Sequence, residues 1–195
     1  MTAPLSPKAA EIVAHTRALL VAGGYNSFSY ADLAERVGIT KPSIHHHFPS
    51  KAVLVQTVVA QYREDARNGL AGLVQQLDDP LSELNAYAGY WSACIQSGEH
   101  PFCICAMLVT ELPTVPDEVA AEVRGHFEDL TTWLASVFTR GAAAGQFHLP
   151  NSATISARGF MAVVHGAMLV ARALGDPAAF ATIVQPAILR LTRAS

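Results

Sequence analysis

The sequence predicts an all-α protein of about nine helices, and three observations carry that expectation. Apolar residues recur at three- and four-residue spacing through most of the 195 residues. Glycine and proline clusters cut the chain into pieces of ordinary helix length. No stretch alternates with a period of two for long, and no internal repeat or low-complexity run is present. Half of the residues are hydrophobic, which is enough to bury a sizeable core.

Each element follows in order. Ser6 and Pro7 start the first helix as a cap and a first-turn proline, and Ile12, Leu19 and Leu20 carry it to Gly23 and Gly24. Ser29, with Asp32 three residues on, begins a second helix over Tyr30 to Val37 through a capping-box pattern in which Asp replaces the usual Glu or Gln. Gly38 ends it, Thr40 caps a third helix, and Phe48-Pro49-Ser50 closes that one and caps a fourth from Lys51. Leu54, Val55, Val58, Tyr62, Leu70, Leu73, Val74 and Leu77 keep this fourth helix amphipathic until Asp78-Asp79-Pro80. Breaks at 98–101, 112–116, 145–150 and 175–177 divide the remainder.

Residues 1–50 therefore read as a three-helix, homeodomain-like helix-turn-helix module and 51–195 as a second, helical domain. Charge agrees with that division. Residues 1–63 hold six basic and three acidic side chains, whereas the rest holds seven basic and thirteen acidic ones, so only the front suits phosphate.

The residue types at the front point to double-stranded DNA. Pro42, Ser43, His45 and His46 are small residues and flat rings suited to a major groove, with His47 beside phosphate. Ser29 and Tyr30, Thr40 and Lys41, and Lys51 lie at three successive helix starts, where free N–H groups and added donors attract the DNA backbone. Three consecutive histidines on a helix diverge by ~100° each and cannot converge on one ion, so no metal is expected there.

The segment LLVAGGYNSFSYADLAERVGITKPSIHHHFPSKAVL resembles the DNA-binding part of the TetR family (TetR/AcrR type) of transcriptional regulators almost position for position, with one departure at His45, where a tyrosine is usual. The resemblance implies a repressor that binds a palindromic operator as a dimer through its helix-turn-helix and is released by a small-molecule effector held in a C-terminal ligand-binding and dimerisation domain.

Two features of the second domain fit that expectation. The last two helices, over 152–174 and 177–193, are apolar around more of their circumference than one core needs, as a homodimer interface would be. Large or polarisable side chains on the middle helices, Tyr87, Trp91, Cys94, Phe102, Cys103, Met107, Phe127, Trp133, Met161 and His165, are of the kind that lines an effector pocket. Cys103 and Cys105 near a helix start offer an alternative, a regulator that senses oxidants or electrophiles through a low-pKa thiol pair. Residues two apart should point to different sides, so neither a disulfide nor zinc at His100, Cys103 and Cys105 is expected.

No motif for hydrolysis, phosphate cradling or dinucleotide binding is present, so neither enzyme activity nor a cofactor is expected; a thiol-dependent helical enzyme is the remote alternative. The chain opens without a basic-then-apolar leader, its most apolar run (160–174) is interrupted by His165 and Arg172, and three cysteines are no disulfide framework. The expectation is a cytoplasmic protein with no membrane partner.

Overall fold

The computed structural model describes residues 5–99 and 101–192, and these form nine α-helices and one short 3₁₀ turn with no strand among them. The helices are α1 (Pro7–Gly23), α2 (Tyr30–Val37), α3 (Lys41–His47), α4 (Lys51–Leu77), α5 (Pro80–Ser97), α6 (Ile104–Val109), α7 (Asp117–Ala143), α8 (Ala153–Leu174) and α9 (Ala178–Thr192). They fall into two compact units. The first is 1–64 with 103–126, the second 65–102 with 127–195, so α4 and α7 each run through both. The expected boundary at residue 50 coincides with the start of α4, inside the first unit.

In the first unit the local signals act as anticipated. Ser6 Oγ accepts from Ala9 N at 3.3 Å to cap α1, and Ser29 and Asp32 close a complete capping box on α2. Gly38 ends α2 in the left-handed region at φ 68°, where a side chain would strain the backbone. Ile12, Leu20, Leu33, Ile44, Leu54, Val55 and Val59 are fully buried and make the core of the unit. The 3₁₀ turn (Tyr25–Ser27) is held from far along the chain. The Glu111 carboxylate accepts from Tyr25 N at 2.5 Å and Asn26 N at 3.1 Å, in effect capping this connection from 85 residues away.

In the second unit α9 packs against α8 and α5, with Phe138, Phe160, Val164, Met168, Phe180 and Val184 in the core. Glu83 is fully buried, and Arg140 meets it with two parallel hydrogen bonds of 2.7 and 2.6 Å, which leaves the carboxylate paired rather than stranded. Asp79 caps α5 through Ser82 N and also accepts from Gln146 Nε2. By length and hydropathy alone α8 would span a bilayer, yet Phe160, Val164, Ala167, Met168 and Ala171 on it are buried within the unit.

Candidate nucleic-acid interface

Helices α2 and α3 are joined by a three-residue turn, and short side-chain contacts fix one on the other. Tyr30 is buried and donates its hydroxyl to the Phe48 carbonyl at 3.0 Å, tying the start of α2 to the end of α3. The His45 ring packs on the edge of the Tyr30 ring at 4.7 Å, and its Nδ1 lies 3.2 Å from the Pro49 carbonyl. Burial pushes the Tyr30 phenol up to about 12, so it stays a neutral donor.

Helix α3 thus has one anchored face and one free face. Ile44 is fully buried, whereas Lys41, Pro42, His45 and His46 are exposed and Ser43 and His47 half-buried. Thr40 is exposed and caps the helix through Ser43 N. The His46 and His47 rings meet edge to face at 5.4 Å.

Besides His45, exposed but held by Tyr30 and Pro49, three of the anticipated contact residues are otherwise engaged. Tyr30, expected to offer its hydroxyl to phosphate, spends it on Phe48. Lys51, expected on the DNA backbone, turns its ammonium inward, donating to the Phe28 carbonyl with the Tyr25 and Phe28 rings 4.7 and 4.1 Å from it. Burial lowers its pKa from the ordinary lysine value. Ser29 is exposed but already accepts from Ala31 N and Asp32 N and donates to the Asp32 carboxylate. The anion at the start of α2 is therefore the chain's own Asp32, whose carboxyl is held below its usual range chiefly by Ser29.

The residues anticipated for an effector pocket separate between the units. Cys103 and Met107 belong to the first. In the second, Tyr87 and Trp133 rings lie 5.4 Å apart and Phe127 and His165 rings 5.3 Å apart; the Thr131 hydroxyl donates to the Met161 sulfur at 3.9 Å, and His165 Nδ1 lies 2.9 Å from the Met161 backbone carbonyl. Trp91 and Phe102 are buried and Cys94 half-buried. Trp133 Nε1 is buried with no acceptor among the described residues.

The cysteines differ from expectation. Cys103 is the residue ahead of α6, with extended backbone at φ −70° and ψ 123°, so the helical rule that separates residues two apart does not govern it. Its thiol and that of Cys105 approach each other and His126, a residue that nothing in its local sequence singles out. All three are buried. Burial holds the Cys105 thiol well above its usual range, the reverse of the low-pKa thiol that the alternative reading as a thiol sensor requires. His100 lies outside the described residues.

Comparison with known proteins fits this architecture. Residues 12–58 match the family model described as bacterial regulatory proteins, tetR family. Residues 80–186 match that described as tetracyclin repressor-like, C-terminal domain. A transcriptional regulator of the TetR family from Agrobacterium tumefaciens is similar over 95% of this chain and 98% of its own, with 51% identity and a TM-score of 0.94. Two more distant proteins share the fold: a TetR transcriptional regulator from Legionella pneumophila (22% identity, TM-score 0.84, 97% and 100% covered) and FadR from Bacillus subtilis, solved with stearoyl-CoA (11%, 0.73, 93% and 98%). No curated protein matches the chain. With a three-helix reading head whose α3 stands outward, and with both family models matched along its length, the chain belongs to the TetR family of DNA-binding transcription regulators.

Proposed function

We propose that this regulator is a repressor which occupies a palindromic operator as a homodimer and leaves it when a small effector binds in the second unit. The observation that carries the reading is the free face of α3, where Lys41, Pro42, His45 and His46 stand outward while Ile44 anchors the helix. Such a helix enters the major groove; Ser43, His45 and His46 reach base edges and Lys41 meets phosphate. Thr40 and His47 flank the DNA backbone. Tyr30 and Lys51 act from within, holding α3 and the α1–α2 connection in position.

Exposed apolar residues on the last two helices support dimerisation through 152–174 and 177–193. Ile155, Leu169, Leu174 and Leu189 are 56, 59, 70 and 49% exposed, a large uncovered surface that a second copy would bury as a four-helix bundle. Two heads then span half-sites about one helical turn, ~34 Å, apart. For the effector, the Tyr87, Trp91, Cys94, Phe102, Phe127, Trp133, Met161 and His165 group is favoured by the unused Trp133 N–H, which suits an apolar ligand carrying one hydrogen-bond acceptor. Binding there shifts the population of states that differ along α4 and so changes the spacing of the heads. Thiol sensing at Cys103 and Cys105 is disfavoured by their burial. The site of action is the cytoplasm, where operator DNA lies.

Footprinting of the purified protein on DNA flanking its own gene tests the reading. A protected inverted repeat that is vacated on addition of an apolar acceptor-bearing compound is the expected result; protection of a single half-site, or none, overturns it.

A further inference from the structure

The first unit encloses a cluster that DNA reading does not use. Cys103 precedes α6, Cys105 lies in its first turn and His126 sits on α7, and their ligand atoms all lie within 4.8 Å of one another. Cys103 Sγ is 3.8 Å from His126 Nε2. Cys103 and Cys105 are 0% exposed and His126 6%. Metal–thiolate bonds of about 2.3 Å and metal–imidazole bonds of about 2.0–2.1 Å put sulfur and nitrogen about 3.6–3.8 Å apart around a tetrahedral or trigonal ion. The observed Cys103–His126 sulfur–nitrogen spacing is that of a trigonal site, and the other separations, none above 4.8 Å, would have to close by less than about 1 Å on an ion.

The donor set also selects the ion. Two thiols and one imidazole, with no carboxylate in the group, are soft ligands that favour copper(I) and zinc over the hard cations. Closed zinc sites take four ligands, and the cluster offers three among the described residues, whereas copper(I) is stable with three. The complex with two thiolates carries one negative charge; Arg63, which packs over Gly125, the residue before His126, is nearby but already neutralised by Glu122 at 3.2 Å. We propose that Cys103, Cys105 and His126 form a buried binding site for a monovalent soft cation, copper(I). The ion replaces the two thiol protons, which pass to solvent, with no change of oxidation state.

Copper binding at this cluster is independent of operator binding and is measured without DNA. The full-length reduced protein is titrated anaerobically with copper(I) in competition with a chromogenic copper(I) chelator. One equivalent per chain withheld from the chelator is expected, abolished in Cys103→Ser and in Cys105→Ser and unchanged in Cys94→Ser. Because loss of an outer partner of a ligand already costs 10–100-fold, His126→Gln should weaken retention at least about tenfold. X-ray absorption on the loaded wild-type protein guards against variants that misfold, and two sulfur neighbours with one nitrogen are expected. Failure to withhold copper, retention undiminished in the cysteine variants, a coordination shell without two sulfurs, or uptake of zinc in preference to copper(I) would each overturn the assignment.

Discussion

Tyr30→Phe separates a residue that holds the reading head together from one that touches DNA. The phenol is 6% exposed and its hydroxyl lies 3.0 Å from the Phe48 carbonyl, itself on a buried residue at the end of α3. Removing the hydroxyl loses one buried neutral hydrogen bond and strands an acceptor, which costs about 1–2 kcal/mol. For a chain of this size each kcal/mol lowers Tm by roughly 2–4 °C, so a fall of about 2–8 °C is expected in thermal melts followed by circular dichroism. Operator affinity, measured by fluorescence anisotropy well below the transition, should change by less than about threefold, since the ring still packs on His45. A hydroxyl that instead donated to phosphate would be worth about 1.5–3 kcal/mol in binding, roughly 10–150-fold, at no cost to stability. Unchanged Tm with a tenfold loss of affinity would refute the assignment of Tyr30 as a positioning residue.

Other expectations follow from the same geometry. Lys41→Ala should lower the slope of log affinity against log salt by about 0.9 per subunit while leaving base preference unchanged, as read from titrations at several salt concentrations. Glu111→Ala strips the acceptor from the Tyr25 and Asn26 amides and should cost about 1–2 kcal/mol in denaturant melts. A charge set among the exposed apolar residues of α8, Leu169→Glu, should leave the helical signal intact but halve the mass seen by sedimentation and weaken operator binding. The Asp79 carboxyl is held below its usual range by Ser82 and Gln146. Its folded pKa is depressed, so its contribution is complete above pH about 4 and vanishes as pH falls through the folded value. The gap in Tm between wild type and Asp79→Asn should therefore be open at neutral pH and close in strong acid; a gap independent of pH would remove Asp79 from that role.

Much of this molecule is legible along the chain because helix boundaries depend on residues only three or four apart. Ser6, Ser29, Thr40 and Gly38 mark their helix ends from local chemistry alone, and Asp32 in place of Glu still closes the capping box. The outward α3 face is legible for the same reason: Ile44 is the one large apolar side chain within it, so burial of that residue dictates which neighbours face water. Lys51 was not legible, since nothing local distinguishes an ammonium bound for phosphate from one drawn to the Phe28 carbonyl between two rings.

What the sequence by itself determined is the succession of helices, the reading head and the family. Tertiary structure alone decided that Glu111 caps a turn 85 residues away, that Glu83 and Arg140 pair across 57 residues, and that Cys103, Cys105 and His126 meet in one buried cluster. The reason is physical. Caps and periodicities act within a turn or two of helix, whereas a side chain's distant partner is set by which faces pack, and packing is a property of the whole core.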